Sequence, residues 1–330
     1  MTEEHGRLDR GDGVALAWRR IPGRGPGVVF LGGFNSDMTG SKAEDLSAFC
    51  AARGQAFLRL DYSGHGASGG RFEDGTIGRW AQDAATAIAA LTAGPQVLVG
   101  SSMGGWIALL LAVRQPERVA ALVGIAAAPD FTARIEALLP AEIQAIIARD
   151  GVWHRPSQYG PPYPITRQLL EEGRRHLLLR AAVPITVPIR LLQGQDDPDV
   201  PWDTALKIAA AVTGADVQVV LVKDGDHRLS RPQDLALLRR VVGELLGPLA
   251  RPPGWRRGRR GSRGGATGCP ALTWSRHWRP CGSPPRSCGP WGTCRRRPAR
   301  RGWPGAAPRR AAGRLPPPPR RFPPPRRRPG

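Results

Sequence analysis

The stretch Gln96-Val97-Leu98-Val99-Gly100-Ser101-Ser102-Met103-Gly104-Gly105-Trp106 reads as a buried strand that turns directly into a helix. It contains G-x-S-x-G, with Ser102 at the centre. Ile107, Leu109 and Leu110 continue the helical pattern beyond it. A serine on a sharp strand-to-helix turn sits in a strained backbone conformation with its hydroxyl pointing away from the sheet. Side chains two residues before and two after it would collide, which is why glycine belongs at both places. The helix N-terminus beneath the hydroxyl favours developing negative charge. Ser102 is therefore the candidate nucleophile.

Working outward, short apolar runs alternate with helix-length patterns. The runs are Val28–Leu31, Ala56–Leu60, Gln96–Val99, Val119–Ala128, Ile189–Leu192 and Val217–Val222. Rich in Val, Ile and Leu and mostly without alternation, they read as strands covered on both faces. The helical patterns are Ser41–Arg53, Ile77–Leu91, Met103–Arg114, Trp202–Val212 and Pro232–Leu246. This alternation predicts an α/β domain over residues 1–250 with a mainly parallel sheet. Val14–Trp18 is expected to enter as an antiparallel strand. About 130–187 breaks the rhythm, with helices expected over Phe131–Arg149 and Ile165–Leu179 around a Gly160-Pro161-Pro162 loop. A helical insertion there is a candidate lid, whose apolar stripe also packs on the body.

Three further features agree with the serine. Gly32-Gly33-Phe34 closes an early strand, so the Phe34 and Met103 backbone amides are the candidate oxyanion donors. Asp197, in Gly194-Gln195-Asp196-Asp197-Pro198-Asp199-Val200-Pro201, follows a late strand and is the favoured acid. Asp196 and Asp199 are close rivals, and Asp130 is a remote one. Of six histidines (His5, His65, His154, His176, His227 and His277), His227 alone lies between the last strand and the last helix. The order Ser102, Asp197, His227 is that of the α/β-hydrolase fold. His65 precedes the nucleophile and is read as structural. No cluster in residues 1–250 has metal-ligand spacing, and the Gly64–Gly70 turn lacks the G-x-x-x-x-G-K-[ST] phosphate-loop pattern. Acyl transfer through serine needs no cofactor.

Composition divides the chain near residue 250. All of the +21 formal charge lies in residues 251–330, which hold 22 Arg but no Lys, Asp or Glu. Residues 1–250 are near neutral, so their charge gives no reason to expect nucleic acid or an anionic membrane as a partner. Cys50 is the lone cysteine before residue 250, which excludes a disulfide framework there and suits a reducing compartment. The N-terminal MTEEHGRLDR has no apolar segment of a secretory signal, and its early acids argue against a transit peptide. No run reaches the ~18 apolar residues of a membrane span. The expected location is cytoplasmic.

The matching stretches go beyond a general fold. They are Gly33-Phe34-Asn35-Ser36-Asp37-Met38-Thr39-Gly40 with Lys42-Ala43, Asp61-Tyr62-Ser63-Gly64, Gly94-Pro95-Gln96, Val99 to Trp106, Gly151-Val152-Trp153, Pro188 to Leu192 and Asp226-His227-Arg228. On these residues the chain resembles the mitochondrial palmitoyl-protein thioesterases, also described as mycophenolic acid acyl-glucuronide esterases, and their bacterial relatives. The resemblance spans about residues 25 to 245. It implies that nucleophile, acid and base fall on Ser102, Asp197 and His227. It also implies hydrolysis of acyl esters and thioesters, S-acylated protein among them. Peptidases, lipases and haloperoxidases share the fold and triad, so it is the resemblance that selects esters and thioesters. Two departures stand out. The N-terminal residues give no reason to expect the mitochondrial presequence, and the family's D-D-x-V-P-W segment is Asp197-Pro198-Asp199-Val200-Pro201-Trp202 here.

Residues 251–330 resemble nothing in that family. They hold 18 of the 34 prolines, so disorder with local polyproline II is expected. Arg together with Trp255, Trp274, Trp278, Trp291 and Trp303 suits single-stranded nucleic acid. The four cysteines include no C-x-x-C pair that would suggest zinc. A Pro/Arg/Gly/Cys/Trp composition without Lys or acid is also what an out-of-frame reading of GC-rich DNA produces. Truncation after residue 250 is expected to leave ester hydrolysis and solubility unchanged. Loss of a salt-sensitive nucleic-acid affinity on truncation would reveal a binding role instead.

Overall fold

The apolar runs alternate sides once they become strands, and that alternation builds two cores. The computed structural model describes residues 2–156 and 162–249; the Pro/Arg-rich segment 251–330 lies outside the described residues. The strands are β1 (Glu4–Asp9), β2 (Ala15–Ile21), β3 (Arg24–Leu31), β4 (Gln55–Leu60), β5 (Gln96–Ser101), β6 (Val119–Ile125), β7 (Val152–Arg155), β8 (Tyr163–Thr166), β9 (Ile189–Gly194) and β10 (Val217–Val222). The helices are α1 (Ser41–Arg53), α2 (Ile77–Leu91), α3 (Met103–Arg114), α4 (Phe131–Leu138), α5 (Ala141–Asp150), α6 (Arg167–Gly173), α7 (Asp203–Ala211) and α8 (Pro232–Leu249).

Eight strands form one sheet in the order β1-β2-β4-β3-β5-β6-β9-β10. From β4 to β10 every neighbouring pair is parallel, whereas β2 is antiparallel to both β1 and β4. Val29, Leu31, Leu58, Leu60 and Leu98 face α2, α3 and α7. Val28, Phe30, Phe57, Val97 and Val99 face α1 and α8. Each large side chain so buried contributes roughly 1.5–3 kcal/mol. With the sheet covered on both sides, the strands read as apolar runs. Their parallel sense brings the loops after β3, β5, β9 and β10 to one edge.

The helices α1, α2 and α3 coincide with the expected boundaries. Three differences have physical causes. The strand β1 escapes a hydrophobic reading because it is a polar edge strand with partly exposed residues. The expected helix Phe131–Arg149 is two helices, α4 and α5, separated at Leu139-Pro140. Leu139 sits at φ −69°, ψ 129°, because a following proline disfavours the helical region. The expected helix Ile165–Leu179 begins as strand β8, and α6 is short before a 3-10 turn at Arg174–His176. Strand β8 pairs antiparallel with β7, giving a hairpin too brief to announce itself by alternation.

The insertion between β6 and β9 is pinned to the body by specific hydrogen bonds. Both carboxylate oxygens of Asp130 accept backbone amides, from Leu178 at 2.8 Å and Leu179 at 2.9 Å. Glu172 Oε2 accepts the Gly78 amide at 3.1 Å, and Trp106 Nε1 donates to the His176 carbonyl at 3.1 Å. These bonds give Asp130 a structural place, well apart from the remote catalytic alternative considered for it. Among the described residues, no helix is long and apolar enough to cross a membrane.

Candidate active site

Ser102 caps α3 at φ 53°, ψ −116°, a conformation that L-residues seldom adopt. Its amide donates to the Ile125 carbonyl at 2.9 Å, and its carbonyl accepts the Ala128 amide at 3.0 Å. The elbow is therefore tied to the end of β6. Backbone crowding explains the flanking glycines. A Cβ on Gly104 would lie 2.1 Å from the Leu31 carbonyl oxygen, and one on Gly100 would lie 2.3 Å from that of Gly104. Gly33 lies over the serine, since a Cβ built there would stand 3.5 Å from the Ser102 Cβ. Phe34 follows immediately. Met103 opens α3, where first-turn amides have no intrahelical acceptor. Both candidate oxyanion donors thus belong to backbone beside Ser102.

The loops after β9 and β10 supply the other two residues. His227 Nδ1 lies 2.9 Å from Asp197 Oδ2 and 3.1 Å from Oδ1. Asp197 Oδ1 also accepts the Asp199 and Val200 amides at 2.8 Å each, and Oδ2 accepts Gln193 Nε2 at 3.0 Å. Burial raises the Asp197 pKa, but the His227 hydrogen bond and charge, with the two amides, outweigh it and hold the carboxyl below its ordinary value. The rivals are occupied elsewhere: Asp196 is exposed, and Asp199 lies 3.5 Å from Arg155. Asp197, Asp199 and His227 also stand close enough to suggest a cation site. The hydrogen bonds of Asp197 already account for the trio.

Ser102 and His227 share one cavity of about 510 Å³. Phe34, Phe131, Ile135, Tyr163 and Ile165 supply its apolar lining, and Arg134 and Arg155 reach it from the insertion. The Phe34 ring packs edge-on against Phe72, Tyr163, Trp80 and Phe131, with centroids 4.9, 5.5, 5.7 and 5.8 Å away. Aromatic packing of this kind fixes the loop that carries the Phe34 amide.

His65, read from the sequence as structural, makes its backbone contacts beside the site. His65 is 3% exposed, and its Nε2 accepts the Asn35 amide at 3.3 Å. Its Nδ1 lies 3.3 Å from the Ser63 carbonyl, which places the ring proton on Nδ1. Asn35, next to Phe34, has φ 54°, so this bond steadies a left-handed residue in the loop after β3. The partners lie 30 residues apart, a relation that no local pattern signals.

A sheet of this order, with a serine on a strained strand-to-helix turn and an Asp–His pair at the same edge, defines a serine hydrolase of the α/β-hydrolase class. The family model described as "Serine aminopeptidase, S33" matches residues 27–169. The curated "Palmitoyl-protein thioesterase ABHD10, mitochondrial" of Homo sapiens and of Bos taurus are each 40% identical over 245 residues, covering 74% of this chain and 80% of theirs. The solved structure of "Alpha/beta hydrolase domain-containing protein 10 from mouse" matches with a TM-score of 0.70 and 40% identity, covering 74% of this chain and 99% of that one. A putative hydrolase from Agrobacterium vitis S4 matches with a TM-score of 0.70 and 39% identity, over 74% and 98% of the two chains. The chain belongs to the ABHD10 family of α/β-hydrolases.

Burial holds the His65 pKa down to about 4, against 6.5 for a free side chain. Between those values the unfolded chain binds more protons than the folded one, so stability falls with acidification. The contribution is whole above pH 6.5 and lost by pH 4, about 3 kcal/mol in total. Denaturation of wild type against His65→Gln, which keeps an acceptor oxygen, is expected to show this slope in the wild type alone.

Proposed function

We propose that Ser102, Asp197 and His227 form a catalytic triad that hydrolyses carboxylic esters and thioesters through an acyl-serine intermediate. The observation that carries this reading is the Asp197–His227 pair, 2.9 Å apart, with half-buried His227 sharing one cavity with a strained Ser102. With the Nδ1 proton held by Asp197, Nε2 of His227 is the basic nitrogen and takes the proton from Ser102 Oγ as it attacks the acyl carbon. The Phe34 and Met103 amides accommodate the oxyanion; one such donor contributes roughly 100–1,000-fold in rate. Collapse expels the alcohol or thiol, which leaves with the proton from His227. Water, deprotonated by the same nitrogen, then releases the acid. No step calls for a cofactor.

The relatives' names point to a long acyl chain on a thiol, and the apolar wall of the cavity suits an acyl chain. Small acyl esters or thioesters and S-acylated protein are the proposed substrates. In this reading the insertion over about 130–187 acts as a lid on residues 1–250, because Phe131, Ile135, Tyr163 and Ile165 all belong to it. A cytoplasmic location is proposed on the single thiol of residues 1–250: Cys50 is buried, and burial pushes its pKa up to about 12, leaving it inert. The curated relatives are named as mitochondrial.

A fluorophosphonate probe is expected to label the wild type and fail to label Ser102→Ala, with esterase kcat reduced by about four orders of magnitude or more. Full labelling of the alanine variant would overturn the assignment. Asp197→Asn, which preserves shape but not charge, is expected to lower kcat by roughly four orders of magnitude. Equal losses at Asp199→Asn would transfer the acid's role to that residue.

A further inference from the structure

The turn that carries His227 is strained and is held from outside. Leu229, two residues further on, has φ 43°, a left-handed value that a leucine keeps only under constraint. Its side chain is buried in the core that α1 and α8 cover. Within the turn, Asp226 Oδ1 accepts the Leu229 amide at 2.8 Å, and Ser230 Oγ donates to the Arg228 carbonyl at 3.0 Å. That carbonyl, one residue past His227, also accepts Lys42 Nζ at 2.5 Å. Lys42 stands on the first turn of α1, 186 residues away in the chain, and lines the cavity that Ser102 and His227 share. The bonds from Asp226 and Ser230 tie the turn to itself, whereas the bond from Lys42 ties it to the body of the domain.

A lysine costs stability at this place. A cation in the first turn of a helix opposes the helix dipole. Burial, and after it the Arg228 guanidinium, bring the Lys42 pKa down from 10.5 to about 8. Asp226 and Asp234 act in the opposite sense, but Asp234 is shared with Arg231 at 2.8 Å. The acids of its own helix are paired elsewhere, Glu44 with Arg59 and Asp45 with Arg239. Asp37, from the loop after β3, lines the same cavity. An unbranched apolar side chain would fill the space without desolvating a charge. What the lysine adds is a charge-assisted hydrogen bond to the carbonyl beside the base.

We propose that Lys42 is a positioning residue for hydrolysis: through the Arg228 carbonyl its ammonium holds the strained turn, keeps His227 Nε2 within reach of Ser102, and gives the activity an alkaline limit. The inference rests on the triad reading above. His227 has to meet Ser102 for both proton transfers, and a misplacement of ~1 Å costs about 100-fold in rate. The apolar wall that receives the acyl chain lies on the insertion, away from Lys42, so the effect falls on kcat and leaves KM level. Below about pH 8 the ammonium grips the carbonyl with its full charge; above it the neutral amine donates a weaker bond. Activity therefore falls as pH rises through that value, where a triad whose histidine alone titrates would stay on its plateau.

The test measures kcat and KM of the full chain for p-nitrophenyl octanoate between about pH 6 and pH 9.5. The wild-type kcat is expected to fall about tenfold across the alkaline part of that range, with KM level. Lys42→Met should lower kcat by roughly 10–100-fold at neutral pH, keep KM, and lose the alkaline fall. Lys42→Arg, whose charge persists over the whole range, should recover most of kcat and hold it level to the alkaline end. An alkaline plateau in the wild type would overturn the proposal while leaving the triad intact. So would a wild-type kcat in Lys42→Met, a loss carried by KM alone, or an alkaline fall that persists in the methionine variant. A wild type that leaves the ester uncleaved would overturn both readings. Where the methionine variant does not fold, the wild-type profile and that of Lys42→Arg decide.

Discussion

The site depends on backbone crowding where β5 turns into α3. The Gly104 Cα lies so close to the Leu31 carbonyl that no side chain fits between them. This closeness draws the end of β3 over the turn and lays Gly33 against Ser102. The strained dihedral angles of Ser102 persist because hydrogen bonds to Ile125 and Ala128 hold the turn from its other side. The serine's conformation and its place against Gly33 thus have one cause. The aromatic rings around Phe34, and the His65–Asn35 bond, then brace the loop that the crowding brought there.

Asp197 and His227 meet by a similar route. Strands β9 and β10 run parallel and in register, so the loops that follow them leave the sheet side by side. Gly194 permits the approach: a Cβ there would stand 2.2 Å from the Gly225 carbonyl oxygen. Lys42, from α1, reaches the Arg228 carbonyl at 2.5 Å and braces the histidine loop against the helix that shares its face of the sheet with α8. Burial lowers the Lys42 pKa to about 8, so this tie retains its full charge only below that pH. The pairing of Asp197 with His227 therefore draws on strands, glycines and a lysine that are far apart in sequence.

Much of the frame was legible because buried parallel strands leave runs of Val, Ile and Leu, and because α1, α2 and α3 begin and end on clear patterns. What was not legible has physical reasons. The strand β1 pairs through its backbone, and its side chains stay polar. The hairpin β7–β8 is too short for a period. Pro140 breaks a stripe that stays apolar on both sides of the break. At the site, chain order pointed to Ser102 and His227, whereas Asp196, Asp197 and Asp199 differ only in which way the turn aims them. Arg134 and Arg155 gave no signal, since nothing in their own neighbourhoods tells that they meet at Asp199.

Asp130 has a consequence of its own. It stands at the start of the insertion, yet it grips amides 48 and 49 residues further on. The chain that leaves the sheet therefore returns to its point of departure and is closed there by a single side chain. Everything between those points is a loop whose ends are already fixed. Its interior can be exchanged without shifting the register of the eight-stranded sheet, so long as the ties of Glu172 and His176 to the body are kept. Natural divergence, or an engineer seeking a new specificity, can treat it as a cassette set into an unchanged catalytic frame.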